Sequence, residues 1–205
     1  MKTDAELLYA WRDGDEVAGE QLFERYFDAV GRFFFNKASG DPEDLVQETF
    51  ASCVRGRDNV RDFRSYLFGV AYNVLRAYIR RKQRPDSSPN ADEVSACDLG
   101  PGPSTVMHRR EEQRLLLEGL RRIPFNYQIV LELHYWEEMT TAQIGEALGV
   151  PTGTIRSRLK IGRQKLEQAL TRVSAPADVL DSTMSDLDGW ARKLRRSVED
   201  SSPST

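Results

Sequence analysis

Arg156, Ser157, Lys160, Arg163 and Gln164 fall on one side of a helix when the chain is wound at about 100° per residue. Guanidinium, hydroxyl, ammonium and amide groups in that arrangement hydrogen-bond to phosphates and base edges, and an arginine fork matches guanine. A second constellation is Gly69, Asn73, Arg76 and Arg80, spaced i, i+4, i+7 and i+11. Two arginines, an amide and a glycine in one stripe permit close backbone approach together with phosphate or base contact. The polar loop 55–63 adjoins it, and Arg80-Arg81-Lys82-Gln83-Arg84 continues it. A third face has the opposite sign. Asp44, Gln47, Glu48 and Ala51 share one side of a helix, with Asp41 at the rim. It suits docking of a basic partner; read plainly, it is a solvated face whose acids sit well at a helix N-terminus. The two basic stripes have the same plain alternative.

Covalent chemistry has no such constellation. The patterns G-x-x-x-x-G-K, H-E-x-x-H and G-x-S-x-G do not occur, so the chain reads as a binding protein and not an enzyme. Cys53, Cys97, His108 and His134 form no pair with metal-ligand spacing, so neither a metal nor a cofactor is expected. With no disulfide framework, a reducing cytoplasm fits. No apolar run approaches the roughly 18 residues of a membrane span, and the N-terminus lacks the apolar core of a signal peptide. Membrane insertion is not expected.

The net charge of −3 hides strong segregation. Residues 1–50 carry 5 basic and 12 acidic groups, whereas residues 51–84 carry 9 and 2. Residues 85–107 have 4 acidic groups and no basic one, and residues 151–173 have 6 basic groups and 1 acidic. Two separated basic blocks in an acidic chain suggest two sites for one polyanion.

Helices must position these faces. Residues 4–12 and 16–38 have apolar residues at i, i+4 spacing, with an aromatic stripe from Leu22 to Phe34 that reads most simply as core. Asp41 and Pro42 mark the start of a helix whose buried sector is Leu45, Val46, Thr49, Phe50 and Cys53. A long helix over about 64–83 follows, with Leu67, Val70, Ala71, Val74, Leu75 and Tyr78 inward. Residues 85–107, rich in Pro, Gly and Ser and without periodicity, form a flexible linker. Four helices come next, over 108–122, 125–138, about 141–148 and from about 152. Thr140 and Gln143 make a capping box, and Gly149 fits the left-handed position that ends the third. Thr152 or Thr154 can cap the fourth. Its inward stripe is Ile155, Leu159, Gly162, Leu166 and Leu170. A helix, a turn and a basic helix suit the major groove. In the tail, Leu180, Met184, Leu187, Ala191, Leu194 and Val198 make a heptad stripe. One helix over 177–198 is too short to stand alone and should pack on its own domains, a copy of itself or a regulator; docking on one of the DNA-binding domains is the working hypothesis. The expected fold class is all-α: domains over 1–84 and 108–173, a linker over 85–107, and an extension over 174–205 with one helix.

Three stretches together resemble a known family. Asp41-Pro42-Glu43-Asp44-Leu45-Val46-Gln47-Glu48-Thr49-Phe50, Phe63 to Asn73 followed by Arg80-Arg81, and Gly153-Thr154-Ile155-Arg156-Ser157-Arg158-Leu159 resemble regions 2.2, 2.3–2.4 and 4.2 of a bacterial RNA polymerase sigma factor. The match is to the small extracytoplasmic-function group and spans about residues 3–84 and 108–173. The resemblance implies promoter-specific transcription initiation with core RNA polymerase and promoter DNA as partners. It implies that Asp41, Asp44, Gln47 and Glu48 bind the polymerase clamp helices. It implies that Asn59, Arg61, Arg64, Gly69, Asn73, Arg76, Arg80 and Arg81 engage the −10 element, capturing a flipped base. It implies that Thr154, Arg156, Ser157, Lys160, Arg163 and Gln164 read the −35 duplex, while the linker threads towards the active-site cleft. Many members are held by an anti-sigma factor, so such a partner is expected too. Phe63, Tyr66 and Tyr72 are either stacking platforms for a melted strand or core. The chain departs from the pattern at Tyr66, where many relatives carry tryptophan, and in its tail. The competing reading is a helix-turn-helix regulator that binds DNA without entering polymerase, which leaves the Asp41–Glu48 face unexplained.

Overall fold

The computed structural model describes residues 2–38, 42–82, 93–100, 111–173, 185–187 and 189. Eight α-helices run through them: α1 (Asp4–Arg12), α2 (Glu16–Phe35), α3 (Glu43–Gly56), α4 (Phe63–Lys82), α5 (Glu111–Arg121), α6 (Phe125–Tyr135), α7 (Thr141–Leu148) and α8 (Thr152–Arg172). Tight 3-10 turns lie at Arg57–Asn59 and Ala96–Leu99.

Side chains start α1, α2, α4 and α7 by satisfying orphan N–H groups. A Thr3–Glu6 capping box opens α1, and Asp15 accepts the Ala18 N–H at 3.2 Å to open α2. Asp62, ahead of α4, accepts the Arg64 N–H at 3.1 Å and the Ser65 hydroxyl at 2.8 Å. At α3, Pro42 already has helical dihedrals and its carbonyl accepts the Val46 N–H at 3.0 Å. Asp41, the expected cap there, lies outside the described residues.

Helices α1 to α4 pack around aromatic rings. Phe23 lies 5.3 Å from Trp11, 4.8 Å from Phe50 and 6.4 Å from Phe63, centroid to centroid. Such pairs add about 0.5–1.5 kcal/mol each beyond the area they bury, so the stripe on α2 is packing. The α3 residues expected inside are inside, and burial pushes the Cys53 thiol up to about 12.

Helices α5 to α8 enclose Leu116, Leu120, Leu131, Leu166 and Leu170. The Thr140–Gln143 capping box is formed, and Gly149 adopts φ +68°, where a side chain would be strained. The start of α8 differs from expectation. Neither threonine caps it; Pro151 stands at the cap and its carbonyl accepts the Ile155 N–H at 3.2 Å, which places Thr152 and Thr154 inside the first turn. Leu187 of the tail is buried in the same apolar cluster as Leu117 and Leu170; the remainder of the expected 177–198 helix, apart from residues 185–187 and 189, lies outside the described residues.

The two bundles touch. Ile129, Val130, Leu133, Met139, Ile144 and Ile155 belong to one continuous apolar cluster with Phe33, Phe34 and Phe68. The middle of the linker is also held. Val94 and Ala96 are buried, the Phe125 N–H donates to the Val94 carbonyl at 2.9 Å, and buried Arg121 donates to the carbonyls of Asn36, Ala96 and Gly100 at 2.6–3.1 Å. Backbone carbonyls anchor residues 93–100, and these carry no sequence period.

Candidate nucleic-acid interface

Helix α8 carries the first of two cationic faces. Its inward stripe pins the rotation: Ile155, Gly162, Leu166 and Leu170 are buried, and Leu159 is half-buried. Arg156, Ser157, Lys160, Arg163 and Gln164 are therefore exposed together, with Thr154 half-buried at the first turn. The Arg163 guanidinium donates to the Tyr135 hydroxyl at 3.1 Å, which steadies its position. A row of donors along the first turns of a helix is the geometry that places side chains on base edges in a major groove.

The second face is built by α4 and the turn before it. Arg61, Asp62, Tyr66, Gly69 and Asn73 line a cleft of about 570 Å³. The opposite wall is not solvent: Glu146 and Ala147 of α7 form it. Gly69 permits the close backbone approach expected of it, yet what approaches is α7. A Cβ at position 69 would stand 2.8 Å from the Ala147 carbonyl oxygen. Arg64 is likewise engaged, donating to the Glu137 carbonyl and lying 4.0 Å from its carboxylate. Asn73 and Arg80 remain exposed, and the Arg76 guanidinium lies 5.6 Å from the Tyr72 ring centroid. Of the three aromatic residues considered as stacking platforms, Phe63 and Tyr72 are core, and Tyr66 lines the cleft.

The acidic face of α3 is exposed at Asp44, Gln47 and Glu48. Arg81, placed by the sequence with the second cationic face, reaches Glu48 at 3.5 Å, so it bridges the rims of the two faces. That pair is exposed and contributes little. Asn59 closes the 3-10 turn between α3 and α4.

The seam between the bundles holds residues that the sequence reading passed over. Lys37 is fully buried; its Nζ donates to the Phe33 carbonyl at 2.5 Å and to the Glu132 carboxylate, 4.4 Å from the Phe33 ring centroid. Glu132 also accepts from Gln128 at 2.9 Å. Burial pushes the Lys37 ammonium down and the Glu132 carboxyl up, and the opposite charge of each works against that. Arg32 donates to Glu137 at 3.2 Å, Gln143 donates to Asp62 at 3.1 Å, and the Asn36 amide donates to the Leu117 carbonyl at 3.1 Å. The available signal was placement: Lys37 follows Phe33 by one helical turn, and Glu132 interrupts Ile129, Val130, Leu131 and Leu133. A charge on an apolar stripe requires a buried partner.

Two family models match the chain, Sigma-70 region 2 over residues 22–85 and Sigma-70, region 4 over residues 113–166. Among curated relatives, the chain is 26% identical over 180 residues to the ECF RNA polymerase sigma-E factor of Haemophilus influenzae, covering 82% of this chain and 95% of that one. It is 25% identical over 173 residues to the ECF RNA polymerase sigma factor SigW of Bacillus subtilis, covering 78% and 92%. The fold is similar to that of CnrH, solved in complex with the cytosolic domain of CnrY, with a TM-score of 0.59 at 22% identity over 82% of this chain and 97% of that one.

Proposed function

The chain belongs to the sigma-70 family of RNA polymerase sigma factors, in its extracytoplasmic-function group, and from that premise we propose how its three faces divide the work. It binds core RNA polymerase and directs promoter-specific transcription initiation. A helix-turn-helix regulator acting without polymerase is the reading not favoured.

In our reading the α8 face, Thr154, Arg156, Ser157, Lys160, Arg163 and Gln164, reads the −35 duplex. The face of Asn59, Arg61, Arg64, Gly69, Asn73, Arg76, Arg80 and Arg81 holds the melted −10 strand. The cleft beside Tyr66 takes a flipped base, and the ring offers it one stacking surface. Flipping costs a few kcal/mol, which the duplex and polymerase contacts must offset. The α3 face, Asp41, Asp44, Gln47 and Glu48, docks on the polymerase clamp. Residues 1–84 and 108–173 act as the two working units. A partner able to cover either cationic face would serve as the anti-sigma factor. Among the described residues no helix is long and apolar enough to cross a membrane, which supports a place in the cytoplasm beside the polymerase. The chain works as a binding subunit, with the chemistry left to the polymerase.

The single observation behind this division is the exposed acidic face of α3 standing next to a cationic one. A regulator that binds DNA without polymerase leaves it unexplained. Charge reversal of Asp44 and Glu48 together should abolish co-purification with core polymerase and run-off transcription while leaving duplex binding by α8 unchanged. Retained polymerase binding in that variant sinks the docking assignment.

A further inference from the structure

We propose that Arg12, the last residue of α1, is a positioning residue for strand capture: its guanidinium holds the turn that walls the α4 cleft, and so sets how selectively the cleft takes its base. The inference rests on the −10 assignment above. Within the α1–α4 bundle the cleft has two kinds of wall. Tyr66, Gly69 and Asn73 come from α4, where the helix fixes them. Val60 and Arg61 lie between the 3-10 turn and α4, outside any helix.

That connection needs an external hold. Asp62 ties its far end to α4 through the Arg64 N–H and the Ser65 hydroxyl. At the near end the Val60 N–H reaches the Arg57 carbonyl at 3.4 Å, longer than an ordinary N–H···O bond. Arg12 supplies the rest. Its Nε donates to the Arg57 carbonyl at 2.9 Å and its Nη2 to the Val60 carbonyl, so one planar fork grips both ends of the turn. A cation in the last turn of a helix ordinarily serves that helix's own dipole. This one crosses to carbonyls 45 and 48 residues away. Trp11 adds a second hold, with the Arg57 guanidinium 5.1 Å from its ring centroid.

Arg12 lies outside the lining of the cleft, so it reaches a bound base only through the turn. Arg61 is exposed one residue beyond the gripped Val60 carbonyl, and its placement follows from that grip. Tyr66 leans on the same connection. Its hydroxyl comes so close to Gly56, where α3 ends, that a Cβ there would collide with it. The stacking surface and the arginine beside it are therefore referred to one turn, and α1 fixes that turn from behind. A recognition site held about 1 Å too loosely loses most of its selectivity while the protein still folds.

Arg12→Gln tests this in the full-length chain with core polymerase. The probe is a template library randomised over the −10 element, read by sequencing run-off transcripts; a second library is randomised over the −35 element. The strongest base preference within the −10 library should flatten by about tenfold. The −35 preferences and co-purification with polymerase should stay at wild type. Arg12→Lys keeps the charge without the fork and should fall between Arg12→Gln and wild type. Unchanged −10 preferences, or equal flattening in both libraries, make Arg12 a folding residue and overturn the inference. If Arg12→Gln yields no folded protein, Arg12→Lys carries the test: a flatter −10 preference beside unchanged −35 preferences supports the inference, and an unchanged −10 preference overturns it. Tyr66→Ala separates that failure from failure of the −10 reading. If Tyr66→Ala flattens the −10 preference where Arg12→Gln does not, the cleft stands and only the positioning role falls. If neither variant changes it, the cleft assignment falls as well.

Discussion

The two cationic faces are built from similar residues and meet opposite fates. On α8 a narrow apolar stripe turns Arg156, Ser157, Lys160, Arg163 and Gln164 outwards, as the proposed reading of a rigid duplex requires. On α4 the donors surround a cleft, and a cleft can be filled. Residues of the neighbouring bundle wall it on one side: Glu146 and Ala147 line it, the Ala147 carbonyl lies against Gly69, and Arg64 donates to the Glu137 carbonyl. A face that reads a preformed surface can stay exposed. A face proposed to grip single strands needs concavity, and a concave face leaves room for a neighbouring segment to wall it.

The contrast breaks most sharply at the seam. Lys37→Ala leaves Glu132 charged and buried without its partner, and should cost about 3–5 kcal/mol in chemical denaturation. Replacing both residues by methionine should cost far less; equal losses in the two variants mean that the pair does not hold the bundles together. Arg156→Ala addresses the other face. It should cost about 1–3 kcal/mol in duplex affinity and relax specificity at one −35 position, whereas uniform weakening on all sequences makes Arg156 a phosphate contact. Arg76→Ala with Arg80→Ala should slow open-complex formation by about tenfold, or roughly 1.4 kcal/mol, while leaving −35 binding as it was. Normal melting by that double variant would erase the functional difference between the faces.

Thr140→Ala removes the α7 capping box and should cost about 1 kcal/mol, visible in thermal melting as well as in −35 binding, because α7 supports both α8 and the seam. The smallest effect is set by pH. Burial pushes the Asp62 carboxyl up, but hydrogen bonds from Ser65, Gln143 and the Arg64 and Ser65 backbone outweigh it and hold the group below the usual carboxylate range. Its contribution is present above the unfolded value of about 3.9 and is lost as pH falls through the folded one. Scattering should show the chain expanding at that acid edge, and Asp62→Asn should remove the step. An identical acid profile in Asp62→Asn places the titration on another group.

Most of α8 could be read from residue spacing, because one stripe and one face determine its orientation. The buried sector of α3 followed in the same way, down to Thr49 and Cys53. The α4 face was legible as a list of residues, but its covering was not. Contacts such as Arg64 with Glu137 join residues 73 apart in the chain, and no local period records them. Lys37 and Arg121 escaped for a related reason. Lys37 pairs with a carboxylate and Arg121 with backbone carbonyls, all supplied by distant segments, and a cation read alone resembles a solvated one. The threonines at the start of α8 misled because Pro151 begins that helix with its own carbonyl.

Glu137 sits between two claimants, Arg32 on one side and Arg64 on the other. If Arg64 serves the −10 strand as proposed, that strand and the α6–α7 segment compete for it, and the two events are thermodynamically linked. Whatever factor polymerase gains for the strand by favouring the parted arrangement, the strand must return to polymerase as tighter holding of the sigma chain. A promoter would then retain its own initiation factor, and the grip would relax once the melted strand is released.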